Sequence, residues 1–74
     1  MSTEIFDLEI RDESIRLGQL LKLASLAEDG IHAKELIQAG EVTVNGQVDT
    51  RRGAQIQPGD VVCVNDECVR VRSN

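Results

Sequence analysis

With 74 residues the chain has room for one small domain around one core, which excludes a separate catalytic domain. Apolar residues make up 41% of it but aromatics only 1%, so the core must come from Leu, Ile and Val around the single Phe6; RNA readers that stack bases on aromatic platforms are excluded as a template. The formal net charge of −5 is uneven, with −4 on residues 1–13, zero on 14–59 and −1 on 60–74.

Thr3 to Ile10 alternates Phe6, Leu8 and Ile10 with Asp7 and Glu9, which predicts a strand with one buried face and one acidic face. Asp12, Glu13 and Ser14 supply candidate caps for a helix carrying Leu17, Leu20, Leu21 and Ala24 on its apolar face and Arg16, Gln19 and Lys22 on another. Glu28-Asp29-Gly30 breaks that pattern. A second helical period follows with Ala33, Leu36 and Ile37, has Lys34 and Gln38 on its polar face, and ends at Gly40 in a C′ position. Helices this short need packing against each other and a sheet.

From Val42 the period becomes two. Asn45-Gly46 signals a hairpin, and a three-residue loop or a bulge is expected because it sets Val44 against Val48. Pro58-Gly59-Asp60 is a turn. Val61 to Val64 and Cys68 to Val71 form a last hairpin across Asn65-Asp66, with Cys63 facing Cys68 in a non-hydrogen-bonded position. The two cysteines are expected reduced, as small half-buried hairpin residues, and Arg70 and Arg72 as a solvated strand face. The order strand, helix, helix, strands predicts an α+β fold: two short helices packed on a small antiparallel sheet, as one domain over residues 1–74.

The sequence offers little for catalysis. His32 is its single histidine and sits beside a turn, where a surface or capping role is expected; a zinc site would need about four ligands. No Gly-x-Gly-x-x-Gly or Walker string exists, so no enzyme activity, cofactor or metal is expected. No apolar run reaches the roughly 18 residues of a membrane span, and the amino terminus lacks a secretory pattern, so a cytoplasmic location is expected. Cations do point to a function. Arg16, Lys22, Lys34 and the Arg51-Arg52 pair fall in the neutral segment, where they form a basic face if Glu28, Asp29, Glu35, Glu41 and Asp49 point elsewhere. Two guanidiniums beside Gly53 can fork onto phosphate oxygens. A protein-interaction module, or a ribosome-assembly adaptor touching RNA incidentally, is the alternative.

Leu17-Gly-Gln-Leu-Leu-Lys22, Gly30-x-x-Ala33-Lys34-x-Leu-Ile, Gly40-Glu-Val-x-Val-Asn-Gly46, Thr50-Arg-Arg-Gly53 and Pro58-Gly-Asp-x-Val62 occur in one order. Together they resemble the RNA-binding domain first seen in the fourth small-subunit ribosomal protein, the alpha-L motif, and above all its small stand-alone bacterial members. The resemblance implies two helices on a small sheet, with structured RNA across the helices and the adjacent turn. It implies RNA contacts at Arg16, Gln19, Lys22, Gly30, His32, Lys34, Gln38, Arg51 and Arg52. The implied partner is ribosomal or transfer RNA, or a ribosomal subunit, bound by a monomer without membrane attachment. Three features depart from the common family pattern: Asp29-Gly30 replaces Ser-Arg before the second helix, Gly18 stands where many members have Asp, and Ala54-Gln55 follow Arg52-Gly53 where stand-alone members often add cations.

Overall fold

A computed structural model describes residues 4–74, so Thr3, where the first strand was expected to begin, lies outside the described residues. The elements in chain order are β1 (Glu4–Ile10), β2 (Ile15–Arg16), α1 (Leu17–Leu23), α2 (Gly30–Gln38), β3 (Val42–Val44), β4 (Gln47–Val48), β5 (Gln55–Ile56), β6 (Val61–Val64) and β7 (Glu67–Ser73). A five-stranded sheet runs β1-β7-β6-β3-β4, and β2 pairs with β5 separately. The α+β fold with two helices is as expected. Its main sheet is mixed, however, because β1 lies parallel to β7, from Glu4 opposite Glu67 to Ile10 opposite Ser73. Period-two patterning does not distinguish the two directions. A parallel pair needs a long crossover, and here everything between β1 and β7 supplies it.

The core lies between the sheet and the two helices. Leu17, Leu20 and Leu21 of α1, Ile37 of α2, Val42, Ile56, Val62 and Val71 are fully buried. Phe6 is not its centre, as composition had suggested, but is 54% exposed. Along that face of β1 burial rises from Phe6 through half-buried Leu8 to buried Ile10, so the cover reaches only one end of the strand.

Local chemistry sets the helix ends. Asp12, Glu13 and Ser14 do not cap α1: Arg16 occupies the N-cap with no side-chain hydrogen bond, and β2 occupies the residues just before the helix. Instead the Leu17 amide donates to the Ala54 carbonyl at 2.8 Å and the Gly18 amide to the Arg52 carbonyl at 3.0 Å, which satisfies two orphan donors with loop backbone. At the other end Ser25 holds φ at 61°, while its amide donates to Lys22 O and the Leu26 amide to Leu21 O. That is a Schellman closure with serine in the left-handed position. α2 starts from Asp29, whose Oδ1 accepts from the His32 amide at 2.8 Å, and closes at Gly40 as the sequence indicated.

Both hairpins hold surprises. β3 and β4 pair Thr43 with Val48 and Val44 with Gln47, a two-residue loop in place of the expected three. Asn45 and Gly46 both take positive φ, 52° and 87°, as a tight two-residue turn requires, and Asn45 is held there: its amide donates to Val61 O at 2.8 Å, its Oδ1 accepts from the Val61 amide at 2.9 Å, and its Nδ2 donates to Asp60 Oδ1 at 3.0 Å. Both β4 residues are exposed, so no buried face opposes the choice. In the second hairpin Cys63 and Cys68 are disulfide-bonded, contrary to the reduced state expected. They stand directly opposite with Cα atoms 4.0 Å apart, the close spacing of a non-hydrogen-bonded pair. Among the described residues no helix is long and apolar enough to cross a membrane.

Candidate nucleic-acid interface

The short β2–β5 pairing organises the site. Ile15 lies opposite Ile56 and Arg16 opposite Gln55, so the loop before β5 is drawn onto the start of α1. The backbone bonds from Leu17 and Gly18 then fasten Arg52 and Ala54 there. Gly18 makes room for the contact: a Cβ at this position would stand 2.8 Å from Arg52 Cγ and push the stem aside. With only hydrogen in its place, the stem of Arg52 can pass across the helix.

The result is an open groove of about 710 Å³ between α1, α2 and the Arg52-Gly53 turn. Arg16, Gln19 and Lys22 enter from the first helical segment, Lys34 from α2, and Arg52 from the loop. Arg16, Lys22, Lys34 and Arg52 are exposed, and none is ion-paired with another described residue. Asp29 is the single carboxylate in the lining. This small surface thus holds four positive charges against one negative charge, on a chain whose net charge is −5. The first turn of α2 also opens there through Gly30 and Ile31, whose amides precede any intrahelical partner and add the positive end of the helix dipole.

Six of the nine residues singled out from sequence meet in this groove: Arg16, Gln19, Lys22, Gly30, Lys34 and Arg52. The other three do not. Arg51 points away from its neighbour Arg52 and grips Asp49, with Nε 3.2 Å from Oδ1 and Nη2 3.0 Å from Oδ2, while its amide donates to Oδ1 at 2.9 Å. Hydrogen bonding from the Arg51 side chain and backbone holds the Asp49 carboxyl below its ordinary value, and the same partner pushes Arg51 up. His32 turns the other way, its Nδ1 accepting from the Glu28 amide at 3.1 Å, and lines a separate hollow with Leu26, Leu36 and the β6–β7 turn. Gln38 lies exposed on the last turn of α2 and is not part of the groove lining.

Sequence reasoning missed Ile31, which is 71% exposed on the groove wall. Its signal was an aliphatic residue outside the Ala33, Leu36, Ile37 stripe. It also missed Asp29 as a lining residue, because Glu28-Asp29-Gly30 signals only a break between two helical periods, whereas the structure makes Asp29 the N-cap of α2.

Residues 8–72 match the S4 domain family. The chain is similar to the Bacillus subtilis (strain 168) protein named Probable ribosome maturation protein RlbA, 46% identical over 55 residues that cover 74% of this chain and 78% of that one. It is 39% identical over 57 residues to YbcJ of Escherichia coli (strain K12), covering 77% of this chain and 81% of YbcJ. The solution structure of E. coli YbcJ, described as revealing an alfaL motif involved in RNA binding, superposes with a TM-score of 0.67 at 33% identity. That superposition covers 97% of this chain and 90% of YbcJ.

Proposed function

The chain belongs to the S4 domain family, and from that membership we propose that it is a non-enzymatic RNA-binding protein whose groove grips a folded RNA. The observation that carries the reading is the convergence of Arg16, Lys22, Lys34 and Arg52, unpaired with any described residue, on one surface of an acidic chain. Cations so placed contact phosphates, and the first-turn amides of α2 add donors to them. Asp29 and Gln19 can accept from 2′-hydroxyls, and Ile31 offers an apolar contact to a sugar or base edge.

Recognition here is of shape and backbone. The one aromatic residue, Phe6, lies on β1 and is not among the groove residues, so base stacking has no platform in the groove. A folded ribosomal or transfer RNA, reached by a monomer in the cytoplasm and presented on a ribosomal subunit, fits such a surface. The name of the B. subtilis relative supports the ribosomal choice.

The test is binding of the full chain to ribosomal and transfer RNA across a salt series. Engagement of about three to four phosphates gives a log–log slope of roughly −2 to −4. Lys22→Glu with Lys34→Glu and Arg52→Glu should abolish the interaction while the circular dichroism spectrum stays native. Undiminished RNA affinity in that folded variant would rule the groove out.

A further inference from the structure

β1 is an edge strand of the five-stranded sheet, hydrogen-bonded to β7 on one side and, among the described residues, to no strand on the other. At seven residues it is a long edge, of the kind natural sheets shorten, cover or charge. Within the strand the charge has one sign: Asp7 and Glu9 stand on the face away from the helices, and exposed Arg11, Asp12 and Glu13 follow it. Both faces also show apolar surface, Ile5 at 48% exposure on one and Phe6 at 54% on the other.

The strand that β1 already binds indicates what this edge accepts. In register, Phe6 meets Val69, Asp7 meets Arg70, Leu8 meets Val71 and Glu9 meets Arg72. Over these four positions apolar faces apolar and acid faces base, although Glu4 stands opposite Glu67, and Arg72 Nη1 reaches Asp7 Oδ2 at 3.1 Å. The free edge carries the same side chains in the same alternation, because a strand presents one set of residues to both neighbours. Glu9 has no ion-pair partner among the described residues.

We propose that the outer edge of β1 takes up, by strand addition, an extended segment of another protein in which apolar and basic residues alternate as they do in β7. A second copy of this chain is a poor occupant: β1 against β1 brings acid to acid, and β7 already has β1 and β6 on its two edges. RNA is repelled by the same carboxylates. The groove and this edge are separate surfaces, so the inference stands independently of RNA binding.

The probe is a capped synthetic peptide copying residues 67–73 with Cys68→Ser, titrated into the isotopically labelled full chain and followed by NMR. Saturable binding is expected, with shift changes along β1, slowed exchange of its outward amides and intact β1–β7 contacts. A version of the peptide N-methylated on alternate residues should fail to bind the unaltered chain, since it cannot complete the hydrogen-bond ladder. Phe6→Ser with Glu9→Lys should weaken the peptide at least about tenfold and leave RNA affinity in place. The proposal is overturned by no saturable binding, by equal binding of the N-methylated peptide, by shifts centred elsewhere than β1, or by exchange of the peptide for β7.

Discussion

The Gly18 amide donates to the Arg52 carbonyl at 3.0 Å, and a side chain on residue 18 would strike Arg52 Cγ at 2.8 Å. One residue therefore both fastens the loop and leaves room for the cation it delivers. Gly18→Ala separates the two roles. The methyl displaces the Arg52 stem but keeps the backbone bond, and alanine favours the helix by about 0.5–1 kcal/mol. RNA affinity is expected to fall several-fold while thermal stability holds or rises. Equal affinity in filter binding would mean that the position of the Arg52 stem is immaterial.

The two adjacent arginines are predicted to behave differently. Arg52→Glu should weaken RNA binding and reduce the salt slope by about one or more. Arg51→Glu should leave affinity nearly unchanged, because Arg51 is committed to Asp49 outside the groove. A salt series on each single variant checks this, and equal losses would contradict the division.

Asp49 ties the pair to pH. Its carboxyl is held below the ordinary 3.8 by hydrogen bonds from Arg51, so in the folded state it stays ionised in more acid than in the unfolded chain. The stabilisation this gives is complete above the unfolded value and is lost as pH falls through the lowered one. A titration of the Asp49 carboxyl carbon by NMR should show a midpoint below 3.8, moving back up in Arg51→Ala. A midpoint unaffected by that substitution would contradict the pairing.

Ser25 closes α1 at φ 61°, where a Cβ is unfavourable. Ser25→Gly should stabilise the domain by about 0.5–1 kcal/mol, measured by urea denaturation, since relief of the left-handed strain exceeds the added chain entropy. A loss of stability would mean that Ser25 makes a compensating contact.

Apolar spacing made both helices legible, together with the Gly40 stop and the β6–β7 hairpin, because each rests on neighbours within a few residues. The family blocks made the α+β arrangement legible as well. Pairings over long separations were not. Nothing local to Ile15-Arg16 announces a strand with Gln55-Ile56, yet that pairing replaces the cap expected from residues 12–14. Arg51 and Arg52 look alike in sequence and part company only because the Arg52 carbonyl is claimed by α1 while Asp49 claims the Arg51 guanidinium. The family resemblance implies an RNA contact at His32, whereas its ring accepts from the Glu28 amide outside the groove.

The parallel pairing of β1 with β7 sets a timetable for biosynthesis. Glu4 must wait for Glu67, its partner in register, and at about 5–20 residues per second the interval is roughly 3–13 s of translation. Throughout that interval β1 has no β7 to pair with, and its acids Asp7 and Glu9 disfavour pairing with a like strand in register. Closure of the sheet is then a long-range step that waits on residues 67–73.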